Sequence, residues 1–291
     1  MKKFSPFVLG LSIAVAGCAL AAAQDSPSDF RVLQVTREYS KPYKNGMAHE
    51  KTESAFVQAM TKAKFPAYYV GLTSMSGKSR SLFLTIYNSF ADWEKDNKLV
   101  DKNPALSAEL EHASVADGEL LDSVDSLVYT YDKDLSYKSH PDLIGARYME
   151  ISVFHVKAGH RADWNKLGKL IKDAHDKAGT SAHWSMYEIA YGTEDGEWVA
   201  LSSDKSMADI DTGFGENKKF MDALGESGVK QMRELFATAV SYSRSELFAI
   251  NPKMSYVPDA WIKADGDFWK PKAAAPAAKP AAKPADATKK P

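Results

Sequence analysis

The sequence predicts an α+β fold made of two tandem β-α-β-β-α-β modules, and three observations carry that prediction. Ser89-Phe90-Ala91-Asp92 returns 117 residues later as Ser206-Met207-Ala208-Asp209, each copy leaving a strand-like run and opening a helical one. Ser126 to Tyr137 is echoed by Ser245 to Tyr256 at an offset of 119. The segments around these echoes repeat one order of strand, helix, hairpin, helix and strand. A duplicated module explains two echoes at nearly one offset.

Each element has a local reason. In Arg31 to Glu38, Leu33 and Val35 alternate with Gln34 and Thr36, as a strand requires. Ala48 to Ala63 places Ala55, Phe56, Met60 and Ala63 along one helical stripe, and Pro66 ends it. Ala67 to Met75 and Ser81 to Asn88 are β-branched and aromatic runs joined by Ser76-Gly-Lys-Ser, a hairpin pattern. Ser89 with Asp92 three residues on is an N-cap signature for a helical region from Phe90 to about Leu121, broken near Asn103-Pro104 and Gly118. Asp125 to Tyr131 closes the module. The second module runs through Tyr148 to Val156 (strand), Arg161 to Ala178 (helix), and a hairpin of His183 to Tyr191 and Trp198 to Ser203. A glycine-interrupted helix from Met207 to about Ala239 and a strand from Ser241 to Ile250 complete it. This order is that of a ferredoxin-like module, whose sheet has helices on one face only. Two copies can cover each other's bare face by packing sheet to sheet.

The hairpin-to-helix joints Leu82 to Trp93 and Trp198 to Ile210, with the six-element order, resemble the dimeric α/β-barrel superfamily, which includes antibiotic-biosynthesis-monooxygenase-like and NIPSNAP-like domains. The resemblance covers roughly Phe30 to Val257. It implies a barrel made by the two modules of one chain. It does not imply one activity, because members include haem-dependent enzymes, cofactor-free oxygenases and domains without an assigned role. A proximal haem histidine on a helix, as in the haem-binding relatives, would be His175.

The ends have their own character. Lys2 and Lys3, the apolar run Phe4 to Ala16 and Ala21-Ala22-Ala23 form an export leader, residues 1–23, cleaved before Gln24. Val15-Ala16-Gly17-Cys18 is equally well formed as a lipobox, in which Cys18 would be lipidated and become the first residue. Residues 24–140 and 141–262 then hold the modules, and 263–291 reads as an Ala/Pro/Lys tail that cannot bury a core. Trp261, Phe268 and Trp269 are available to fold back on the barrel. A net charge of −1 gives no electrostatic footprint for nucleic acid. The single cysteine excludes an intrachain disulfide and every multi-cysteine metal motif.

Candidate chemistry is thin. Glu150 on the first strand of module two, Arg244 and Glu246 on its closing strand and Glu188 on its hairpin are the polar groups that neighbouring strands could bring together. Two carboxyls forced together in a dry cavity would give a general acid or base, while a Glu150–Arg244 ion pair would be purely structural. His155, His160 and Asp163 are one conceivable metal set, although surface or capping roles suit them as well. His49, His112 and His140 show no matched spacing. Ser202-Ser-Asp-Lys205 and Gly213-Phe-Gly215 match short catalytic and dinucleotide patterns without the strand and helix context these need.

The sequence thus reads as an exported envelope protein, non-catalytic or of unassigned role and with no cofactor expected, that binds a small, largely apolar ligand inside the barrel. Its basic tail or a lipid anchor would touch the envelope. Two alternatives stand beside it. One is an oxygenase-type enzyme, cofactor-free or haem-linked, using the polar groups of module two; the other is a structural partner-binding protein. A cavity converging on Glu150, Glu188 and Arg244 favours the enzyme, a dry aromatic cavity the binder, and a filled core the structural role.

Overall fold

The computed structural model describes residues 31–139 and 142–270. The leader with Cys18, His140 and residues 271–291 lie outside the described residues. Eight strands form one antiparallel sheet: β1 Val32–Ser40, β2 Tyr69–Ser74, β3 Arg80–Tyr87, β4 Leu121–Tyr137, β5 Tyr148–Val156, β6 Trp184–Tyr191, β7 Glu197–Asp204 and β8 Val240–Ile250. The helices are α1 Met47–Ala63, α2 Phe90–Asp101, α3 Pro104–Gly118, α4 Arg161–Ala178, α5 Met207–Gly215 and α6 Asn217–Ala239, followed by α7 Asp259–Ala264 and α8 Gly266–Trp269.

The order around the sheet is β1-β3-β2-β8-β5-β7-β6-β4, and β4 pairs with β1, so the sheet closes on itself. Within that ring each half keeps the ferredoxin-like order, β4-β1-β3-β2 and β8-β5-β7-β6. Two seams join the halves. One aligns β4 with β6 from Val128↔Tyr191 to Tyr137↔Trp184. The other is short: Leu72↔Ile250, Thr73↔Ala249 and Ser74↔Phe248. The short seam is reinforced by the 3-10 turn Pro252–Met254, which lies so close to β2 that a Cβ on Gly71 would stand 2.4 Å from the Met254 carbonyl oxygen. Glycine is required there by approach.

Closure makes one face of every strand interior. Leu33, Leu72, Leu127, Ile151, Tyr187 and Phe248 belong to a single buried cluster. Among the described residues the inner face borders cavities of about 30 and 40 Å³, each room for a water or so. The barrel is filled, which overturns the expected apolar ligand inside it. Trp261 and Trp269 join the same cluster from α7 and α8. Residues 263–270, expected in a structureless tail, therefore complete α7 and form α8, with Trp269 buried.

The repeated Ser-x-Ala-Asp motifs start helices as their chemistry predicts. Ser89 Oγ accepts the Asp92 amide, and Ser206 with Asp209 forms a reciprocal capping box. Asn103-Pro104 separates α2 from α3, Asn103 capping the second with its side chain. Gly225, at φ 67°, kinks α6. β4 is the largest departure from expectation: it begins at Leu121 and runs on to Tyr137, because its outer end must reach β6 as well as β1.

At one mouth of the barrel the inward positions turn polar. Arg80 donates to both oxygens of Glu246 at 3.0 and 2.5 Å, with Arg244 Nε 3.3 Å from the same carboxylate. Arg37 donates to Asp125 at 2.6 and 2.7 Å, and Tyr129 OH donates to Glu197 at 2.6 Å. Burial opposes the ionisation of Glu246, but the hydrogen bond and charge of Arg80 outweigh it and hold the carboxyl below the ordinary range. A carboxyl with a lowered folded pKa contributes stability above its unfolded pKa and loses it as pH falls through the folded value. Glu246→Ala should therefore lower stability by about 3 kcal/mol at neutral pH, because it strands a buried guanidinium. In urea unfolding the deficit should shrink below the ordinary carboxylate range, and a paired Arg80→Met/Glu246→Leu change should recover most of it.

Candidate active site

The filled interior moves the search to the outer face of the sheet, beneath the helices. Parity decides which residues stand there. On β5 the inward residues are Met149, Ile151 and Val153, so Glu150 and Ser152 face out. The register sets Glu150 opposite Leu247, whereas Arg244 and Glu246 oppose Val153 and Ile151. Glu150 is thus on the other side of the sheet from Arg244 and Glu246, and the expected convergence does not occur. Glu188 pairs instead with Arg161 of α4.

Glu150 lies on the floor of a cleft of about 590 Å³ in the second unit. Its walls are the C-terminal end of α4, the 179–183 loop, the outer ends of β6 and β7, the glycine-interrupted α5 and the start of α6. On β7 the outward residues run Trp198, Ala200, Ser202 and Asp204, so the face turns from apolar to polar as it enters the cleft. Ser202 is the direct partner of Glu150, and Asp204 is its diagonal neighbour, at a Cα spacing of about 7–8 Å. Burial raises the pKa of Glu150, the Asp204 charge raises it further, and His183 counters in part. Burial likewise raises Asp204, against His183. Among the described residues neither carboxyl has a hydrogen-bonding or ion-pairing partner. The other two acids of the lining are committed: Asp209 caps α5, and Glu216 accepts from the Ser181 amide and hydroxyl at 2.7 and 2.8 Å.

Two histidines line the same cleft, and His183 acts electrostatically on both carboxyls. His183 Nε2 lies 2.9 Å from the Ser203 carbonyl oxygen and Nδ1 3.1 Å from that of Ser181, which fixes its ring. His175 Nδ1 lies 2.8 Å from Thr180 Oγ1. Its ring stacks on Phe220 at 4.4 Å between centroids, with the Trp184 ring 5.6 Å away edge-on. Burial first, and then the Lys138 charge, lower the His175 pKa and favour the neutral imidazole. Trp184, Phe214 and Phe220 supply apolar wall.

His175 thus lines the cleft, yet the cleft does not suit haem. Its charged lining is Glu150, Asp204, Asp209 and Glu216, with no Lys or Arg among the lining residues, and haem brings two carboxylates of its own. The metal set fails too. His160 Nδ1 meets Asp163 at 3.1 Å, while His155 Nδ1 bonds Ser241 Oγ at 3.1 Å on the far face of the β5–β8 pair. Among the described residues the one group with the geometry for a metal is in the first unit: Glu38, His49, Glu53 and Asp117. That group displaces the expectation that no cofactor is involved.

No protein-family model matches the chain, and no curated relative is detected by sequence. Solved structures do match in shape. A candidate monooxygenase from Fusobacterium nucleatum aligns with a TM-score of 0.51 at 10% identity, over 76% of this chain and 92% of its own. An anthrone oxidase-like protein aligns at 0.50 and 13% identity, over 77% and 92%. A chlorite dismutase variant from Candidatus Nitrospira defluvii aligns at 0.47 and 12%, over 82% and 96%. The fold is ferredoxin-like α+β. At these identities fold is all that is shared, but the names attached to it are those of enzymes, against the expectation of a non-catalytic binder.

Sequence reasoning found Glu150 and His175 but grouped Glu150 with the wrong partners; it gave His183 no role, set His49 aside, and missed Asp204, Glu38, Glu53 and Asp117. The outward run ending at Asp204 and the His49-x-x-x-Glu53 spacing were the available signals. In NMR titration the His175 ring should titrate below the ordinary histidine value of about 6.5. Lys138→Met should move it back upward; a titration at or above the ordinary value would contradict the described packing.

Proposed function

We propose that the chain is an oxygenase-type enzyme whose site is the cleft of the second unit, acting as a general base on a neutral, electron-rich aromatic substrate. The observation that carries this reading is the pair Glu150 and Asp204: two partly buried carboxyls without partners among the described residues, raised in pKa, on the floor of one cleft. Uncommitted acids in a cleft are the arrangement from which proton transfer is built. Four carboxylates in the lining disfavour an anionic substrate, and Trp184, Phe214 and Phe220 suit a flat aromatic one.

The chemistry follows from those groups. An ionised Glu150 takes a proton from an acidic CH₂ flanked by aromatic rings, so the charge formed on the substrate replaces one lost from the carboxylate. The resulting anion supplies electrons to dioxygen. One oxygen atom stays on carbon as a carbonyl and the other leaves as water with the two hydrogens of the CH₂, which balances the reaction without a further reductant. The fold shared with the monooxygenase-type and anthrone oxidase-like proteins supports this direction. The two-unit order and the 117-residue echo support a tandem duplication within the dimeric α/β-barrel group, and the leader sequence supports work outside the cytoplasm.

Dioxygen uptake with a tricyclic anthrone-type probe should exceed the protein-free rate. Glu150→Gln should lower kcat by roughly 10²- to 10⁴-fold with little change in KM. Because the base works ionised, kcat/KM should rise with pH through an ionisation above the ordinary glutamate range, and that limb should vanish in the variant. Unchanged turnover in Glu150→Gln would refute the assignment.

A further inference from the structure

The first unit holds a second, separate constellation. Glu38 projects from β1, His49 and Glu53 lie one turn apart on α1, and Asp117 reaches in from the end of α3. His49, Glu53 and Asp117 are 1%, 3% and 2% exposed. The His49 Nε2 stands 3.0 Å from Glu38 Oε2, 3.3 Å from Asp117 Oδ1 and 3.9 Å from Glu53 Oε1. Three carboxylates and one imidazole nitrogen therefore surround a single point, all within 4.8 Å of one another.

One imidazole faces three carboxyls here. Among the described residues no Lys or Arg pairs with Glu38, Glu53 or Asp117, and one imidazole N–H can serve one carboxylate at a time. Glu53 Oε1 is left buried without a hydrogen-bond partner, an expensive condition for a carboxylate. Nor does the fold need charge here. The paired positions Glu38↔Ser81 correspond by register to Phe154↔Trp198 in the second unit, where Phe154, Trp164 and Trp198 pack as aromatic neighbours. The same place is filled by hydrocarbon in one unit and by four ionisable groups in the other.

We propose that Glu38, His49, Glu53 and Asp117 bind one first-row divalent cation, such as Mn²⁺, Fe²⁺ or Zn²⁺. Metal–ligand lengths of about 2.0–2.2 Å put neighbouring donors about 3.0 Å apart on an octahedron and about 3.4 Å apart on a tetrahedron; His49 already stands at such spacings from Glu38 and Asp117, and Glu53, at 3.9 Å, would close in on the ion. A set of three oxygens and one imidazole nitrogen suits borderline cations better than Ca²⁺ or Mg²⁺. The surrounding groups are arranged as supports. Thr52 Oγ1 donates to Asp117 at 2.5 Å, and Asn45 Oδ1 and Ser81 Oγ each lie 3.4 Å from His49 Nδ1, which aims Nε2 at the carboxylates. Half-buried Glu38 is the one ligand through which the site reaches the surface.

The full chain, stripped with a chelator and then loaded with Mn²⁺ or Zn²⁺ both in the folded state and during refolding, tests this by native mass spectrometry and thermal unfolding. One retained cation per chain and a Tm raised by several degrees are expected. Thr52→Val, which keeps every ligand, should weaken binding about 10- to 100-fold. Glu53→Gln should weaken it further, while Glu50→Gln on the same helix should not. Absence of a stoichiometric cation under both loading routes would overturn the site. So would unchanged affinity in Thr52→Val, a result that stands even if Glu53→Gln fails to fold.

Discussion

Closure of the sheet is the constraint from which the rest of the structure follows. Once β4 pairs with β1 and β2 with β8, no strand has a free edge, and one face of all eight strands is sealed from water. That face must then be filled, and it is: apolar side chains from both units meet in one cluster with only water-sized gaps. Charge inside gathers at a mouth, where Arg80 and Arg244 both approach the Glu246 carboxylate. Closure therefore excludes the interior as a ligand chamber and leaves the outer face, beneath the helices, as the place where this chain can bind or react.

The two units use that outer face differently. In the second, the aromatic neighbours Phe154, Trp164 and Trp198 seal one end, and the sheet turns polar toward the other, where a short, glycine-interrupted α5 leaves a cleft. In the first, charge is buried outright between β1, α1 and α3. Burying several carboxylates is unfavourable unless something offsets their desolvation, and a proton or a cation are the means available there. His49 responds in the expected sense: burial lowers its affinity for a proton, but the Asp117 and Glu38 hydrogen bonds and the surrounding negative charge more than reverse this, pushing its pKa up to about 10.

The fold was legible because its determinants are local. Caps at Ser89 and Ser206, the break at Asn103-Pro104 and the alternation of Leu33 and Val35 act within a few residues, and the helix Arg161–Ala178 and strand Tyr148–Val156 have the predicted limits. The sites were less legible because they depend on parity and on long-range meeting. Glu150 differs from Ile151 by one residue, and that step carries it from the barrel mouth to the cleft. Glu38 and Asp117 are brought to His49 only by the β1–α1–α3 packing, so no spacing in the sequence joins them. Trp261 and Trp269 were expected to fold back, but nothing local marked residues 263–270 as helix.

The most direct test of this account is a crystal structure of the chain soaked with a tricyclic phenol or anthrone-type probe. Density beside Glu150 and His175, under α5 and outside a filled barrel, is the predicted result. Density within the barrel, among Leu33, Leu127 and Ile151, would contradict both the closure argument and the placement of the site.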